Sequence, residues 1–172
     1  MGAWGIKSRE SDCGLDFLAL IADRNFKKID FREFDINNAM ELLKKDITDE
    51  INYTNRGCSE EKMKFYFDEM FPERYAEAVL LVTECLAEFL KNGEFVFDYY
   101  EQKKAAVEKR IATFVYTSDD LKNLLSDLRT AIENQTEEVT WFEESSAKKW
   151  KAHVEDIYTA IENELSKMNQ KN

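Results

Sequence analysis

A chain of 172 residues can remove roughly 70% of its extended surface from water, so one core forms without metals or disulfides. With 44% hydrophobic residues, 12 Phe and 7 Tyr it is too apolar for a disordered chain, and with 5 Gly and 1 Pro it lacks the turn formers of a sandwich or barrel. The 35 Asp and Glu against 24 Lys and Arg leave a formal charge of -11, which argues against nucleic acid and anionic membrane as partners; it would attract a basic protein, although the ordinary reading of such a charge is that it keeps a chain in solution.

Ser11 or Asp12 caps a first helix whose apolar positions Leu15, Leu18, Ala19 and Ala22 recur at three and four, with Phe17 and Ile21 widening the face and an end near Arg24. Ile29 and Phe31 alternate with Asp30 and Arg32, which permits a short extended piece. Asp35 then caps a helix marked by Ile36, Ala39, Met40, Leu43 and Ile47, and Asn55-Arg56-Gly57 breaks it. Ser59, with Glu60 and Glu61 behind it, opens a helix carrying Met63, Phe67 and Met70. Phe71-Pro72 interrupts that run, because proline suits the first turn of a new helix, and Asn92-Gly93 supplies the left-handed stop of the long helix that follows. In it Val79, Leu80, Leu81 and Val82 cover most of the circumference, which predicts the central helix.

Asp98 and Glu101 have capping-box spacing ahead of Val107, Ile111, Phe114 and Val115, which predicts another helix, with a strand over Phe95-Val96-Phe97 as the alternative for the stretch before it. A further helix begins after Ser118 with the stripe Leu121, Leu124, Leu125, Leu128 and Ile132, and the last carries Trp150, Val154, Ile157, Ile161 and Leu165. The fold expected is all-α: one domain over residues 1–172, a bundle of about six or seven amphipathic helices with one or two very short extended segments and a frayed end.

No catalytic or cofactor motif emerges. Cys13, Cys58 and Cys85 are odd in number and far apart, which fits reduced thiols rather than disulfides or zinc. The single histidine, His153, sits beside Trp150 and Ile157 on an apolar edge and reads as structural. Gly-rich phosphate loops and a nucleophile elbow are missing. Met1-Gly2 resembles a myristoylation start, but Ile6 stands where Ser or Thr is needed. Without a basic-then-apolar leader or an apolar run of about 18 residues, a cytoplasmic location is the expectation. Neither a metal nor a cofactor is expected.

Two acidic features remain. Glu73, Glu77, Glu84, Glu88 and Lys91 share a narrow stripe of the long helix, whose ordinary reading is a solvated face and whose alternative is a carboxylate-based metal site assembled by the fold. Between the last two helices Glu133, Glu137, Glu138, Glu143 and Glu144 surround Trp141-Phe142, an aromatic anchor in an acidic rim of the kind that binds a basic partner; turned inward, Trp141 would instead close the core.

The opening Met1-Gly2-Ala3-Trp4-Gly5, followed by Glu10-Ser11-Asp12 and Leu15-Asp16, resembles the start of a bacterial domain-of-unknown-function family whose members begin Met-Gly-(Ala/Thr)-Trp-Gly. The run Trp141, Glu143-Glu144-Ser145, Trp150, Val154-Glu155-Asp156, Ile157 and Ile161 looks like that family's ending. The likeness covers the two ends of the chain, and Ile6-Lys7-Ser8-Arg9 departs from the apolar stretch many members have there. It implies a mainly helical bacterial cytosolic protein with no agreed activity. Proteins similar in size, acidity and lack of motifs often serve as immunity proteins against toxin domains. A non-catalytic binding protein of that kind is therefore the leading expectation, with a carboxylate-site enzyme or an oligomerising module as the alternatives.

Overall fold

The computed structural model describes residues 7–8, 11–22, 33–97, 110–135 and 144–171. Among these, the elements in chain order are α1 (Asp12–Ala22), β1 (Glu33–Asp35), α2 (Ile36–Thr54), α3 (Glu60–Asn92), β2 (Phe95–Phe97), β3 (Arg110–Val115), α4 (Ser118–Gln135) and α5 (Glu144–Lys171). The mainly helical character expected from composition holds.

Helices begin where a short polar side chain takes an otherwise orphaned amide proton. Ser11, not Asp12, does so for α1: its Oγ accepts from the Gly14 amide at 2.9 Å and donates to the Ser8 carbonyl at 2.7 Å. Asp35 accepts from the Asn38 amide at 3.0 Å and Ser59 from the Lys62 amide at 3.4 Å. At α4 the exchange is reciprocal, the Asp120 amide donating to Thr117 Oγ1 at 3.2 Å and the Thr117 amide to Asp120 Oδ2 at 2.6 Å.

Two expectations are corrected. Phe71-Pro72 does not divide the helices: α3 runs unbroken for 33 residues with Pro72 inside it, and stops at Gly93 with φ 75°. The ring removes one hydrogen bond, to the Asp68 carbonyl, yet Asp68 and Pro72 both face water, which can take that carbonyl. Phe67, Phe71 and Tyr75 stack along a different face, with centroids 4.9 and 5.7 Å apart, and hold the helix together across the proline.

The second correction concerns Ile111, Phe114 and Val115, which lie in a strand rather than a helix. β3 is the middle strand of β1-β3-β2, parallel to β1 through Phe34↔Phe114 and antiparallel to β2 through Phe95↔Ala112. Buried Phe114 alternates with exposed Thr113 and Val115, and its ring lies 4.7 Å from Phe34, 5.1 Å from Phe89 and 5.9 Å from Phe95. A β-branched and aromatic stretch takes the strand form when strands elsewhere in the chain offer it edges, a term local periodicity does not contain. With these two changes five helices among the described residues replace the six or seven expected. Phe95-Val96-Phe97 is a strand, as the alternative reading had it. The extended piece at Ile29 to Arg32, the capping pair Asp98 and Glu101, and Val107 lie outside the described residues.

α3 is the central element and touches α1, α2, α4, α5, β2 and β3. The side chains of Ala78, Val79, Leu81, Val82 and Leu86 are wholly buried around it, and Phe17, Leu43, Ile47, Ile51, Leu121, Leu128 and Ile161 close in from the neighbouring helices. Burying each large aliphatic contributes about 1.5–3 kcal/mol, so this one contiguous cluster supplies most of the drive to fold. The Thr83 hydroxyl, fully buried, donates back to the Val79 and Leu80 carbonyls at 2.8 and 3.0 Å.

Candidate functional site

Where α1, α2 and α3 meet, a concavity of about 590 Å³ opens to solvent. Its acidic wall comes from one face of α2. Asp46, Asp49, Glu50 and Tyr53 recur at three and four, on the side of the helix that flanks the buried stripe Leu43, Ile47 and Ile51. Asp16 of α1 stands across from them, and Phe17 and Arg74 also line the space.

Arg74 organises the site. It is buried, and its Nη2 donates to both carboxylate oxygens of Glu50, at 3.0 and 2.9 Å, while Nη1 donates to Glu77 Oε2 at 3.4 Å and to Cys13 Sγ at 2.7 Å. The guanidinium also lies 5.7 Å from the Phe17 ring centroid. One cation thus ties α1, α2 and α3 together. Burial alone would discourage its charge, but the Glu50 hydrogen bonds and the surrounding carboxylates reverse that and raise its pKa.

The acids around it are not equivalent. Burial, then the charges of Glu50 and Asp49, pushes the Asp46 carboxyl above its ordinary range. Burial also raises Glu77, against the pull of Cys13 and Arg74. Asp49 is engaged by exposed Lys45 one turn away. Cys13 is buried, and desolvation followed by the Glu77 hydrogen bond drives its thiol far up, so it is a packed neutral group and not a nucleophile.

The rim is aromatic. Tyr53 is 67% exposed, and Arg56 lies over its ring at 4.5 Å from the centroid. An exposed ring bordered by carboxylates is the chemistry the sequence pointed to around Trp141. Of that segment Glu133 lies exposed on α4 and Glu144 begins α5, whereas Glu137, Glu138, Trp141, Phe142 and Glu143 lie outside the described residues.

The carboxylate stripe of the long helix is corrected in part. Glu84 is 4% exposed rather than solvated, and its Oε2 accepts from the Ser8 amide at 2.7 Å. His153 Nε2 of α5 lies 3.6 Å from the same oxygen. This junction binds the N-terminal segment and α5 to the central helix; the residues concerned are separated by 69 and 76 positions, and no spacing rule announces it. Among the described residues no group of three or more His, Cys, Asp or Glu is placed to hold a metal ion. Cys85 is buried and Cys58 exposed, and neither is joined in a disulfide among the described residues. Among the described residues no helix is long and apolar enough to cross a membrane.

No family model, curated protein or solved structure matches the chain.

Proposed function

We propose that this chain is a non-catalytic binding protein that takes a basic protein partner, acting as an immunity protein does on a toxin domain. The observation that carries the reading is the concavity between α1, α2 and α3, where Asp16, Asp46, Asp49 and Glu50 converge beside the exposed ring of Tyr53. Carboxylates gathered there set a local negative potential on top of the chain's charge of -11, and such a field steers basic partners and accelerates their encounter. The neutral, buried Cys13 and the saturated Arg74 supply structure at this site rather than reactive groups.

The test begins with the immobilised chain and a variant carrying Asp46→Lys and Asp49→Lys, each exposed to extract of the native cell. A basic protein retained by the first and released from the second is expected, with an association rate that falls steeply with salt. Co-expression of the chain should then relieve that protein's toxicity. Retention of the same proteins by both forms, insensitive to salt, would refute the proposal.

A further inference from the structure

Tyr53 and Phe65 are the two most exposed large apolar side chains among the described residues, at 67% and 61%. They flank one connection. Tyr53 lies in the last turn of α2, Phe65 in the second turn of α3, and only residues 55–59 separate the helices. Soluble chains seldom leave two aromatic rings this open at one end of a helix pair without a use for them.

Each ring has acids around it. On α3 the residues one turn before and after Phe65 are Glu61, Asp68 and Glu69, all exposed, with Lys62 as the single cation among the positions at three and four. Beside Tyr53 stand Asp49 and Glu50 on the preceding turn of α2. The first fully buried residue of α3 is Arg74; in the four turns before it Phe67, Met70 and Phe71 are half-buried against the core, whereas Phe65 stands open. This end of the molecule therefore couples uncovered aromatic area to negative charge, the arrangement of a hot spot with its rim.

We infer that the tip formed by the end of α2 and the start of α3 is the docking face, with Tyr53 and Phe65 as its anchors, and that its occupant is a protein surface presenting arginine or lysine beside an apolar cleft. The inference rests on the binding function proposed above and fixes where it resides. Charge complementarity selects the occupant. A second copy of this chain would bring a further charge of -11 against the same acids, whereas a guanidinium is received well, as Arg56 already demonstrates over the Tyr53 ring.

A short peptide alternating arginine and leucine, titrated into the full ¹⁵N-labelled chain, tests this, with a glutamate and leucine peptide as control. Shifted amides should cluster within residues 46–56 and 61–69. Tyr53→Ala and Phe65→Ala should each weaken binding about tenfold or more, while Tyr53→Phe retains it and circular dichroism stays unchanged in all three. Undiminished affinity in both alanine variants, or shifts centred elsewhere, would overturn the assignment of this face and leave the binding function standing. Absence of any salt-sensitive binding would overturn both. A dimer in sedimentation that dissociates on Phe65→Ala would replace the basic occupant by a second copy and so overturn the inference.

Discussion

Replacing Arg74 by methionine removes the buried cation at the meeting of α1, α2 and α3 while keeping its apolar stem. Breaking a buried ion pair by deleting one partner costs about 3–5 kcal/mol, because the remaining charge stays desolvated. Glu50 is half in water and recovers part of its hydration, but Glu77 is 27% exposed and Cys13 is buried, so the lower end, about 3 kcal/mol, applies here. For a chain of this size that lowers Tm by roughly 6–12 °C. The pH dependence distinguishes this account from simple loss of packing. Asp46 and Glu77 already have raised pKa values, and Arg74 is among the groups that restrain both, so its loss raises both further. A carboxyl with a raised folded pKa holds its proton more tightly when folded. The folded chain then binds more protons than the unfolded one, and stability falls as pH climbs through the carboxylate range. The cost of Arg74→Met, measured by urea unfolding, should therefore be smaller near pH 4 than near pH 7, and Glu77→Gln added to it should restore part of the loss. An equal cost at both pH values, or a cost below about 1 kcal/mol, as for a surface pair, would mean that the Arg74 cluster is not held out of water.

Three other substitutions probe the fold. At Gly14 a methyl group would collide with the backbone carbonyl of Ser8, so Gly14→Ala should lower the urea midpoint by an amount equivalent to about 1–3 kcal/mol; an unchanged midpoint would mean that the N-terminal segment does not pack there. Phe114→Ala empties the space between Phe34, Phe89 and Phe95 and should cost about 3–5 kcal/mol by the same measurement. Pro72→Ala restores an amide donor in the middle of α3 and should raise Tm, by up to the equivalent of about 3 kcal/mol; a fall would indicate that the helix is not continuous there.

Much of this architecture is legible in the sequence because helix faces and caps are local. Asp35, Ser59 and Gly93 announce three boundaries by chemistry alone, and the leucine stripe of α4 is read directly from its spacing. The misread stretches are those where tertiary contacts outweigh a local rule. Pro72 signals a helix start unless aromatic stacking on a neighbouring face carries the helix through it, and Ile111 to Val115 fits a helical period until β1 and β2 are present to pair with it. The site divides in the same way. Asp46, Asp49, Glu50 and Tyr53 form a face at three-and-four spacing that is visible in the sequence but carries no motif to mark it out from other acidic helix faces. That Asp16 and Arg74 complete the concavity depends on how α1 and α3 cross α2, as does the burial of Glu84.

Charge works in two opposite senses within this one region, and the difference bears on binding. Arg74 is satisfied by Glu50 and Glu77 and gains nothing from a partner. Asp46 is held among Glu50 and Asp49, with Arg74 and Lys45 only partly offsetting them and Asp16 on the far wall, so its ionised form is disfavoured in the folded chain. A partner's arginine entering the concavity would favour the ionised form, which makes it a competitor of the proton for the same carboxylate. Affinity for the arginine and leucine peptide should therefore weaken as pH falls through the carboxylate range, and binding near the folded pKa of Asp46 should release protons. Calorimetry in buffers of different ionisation enthalpy measures that release, and Asp46→Asn should abolish it while leaving the ion pairs of Arg74 in place. Affinity that instead strengthens on acidification would show that the bound cation does not approach Asp46 at all.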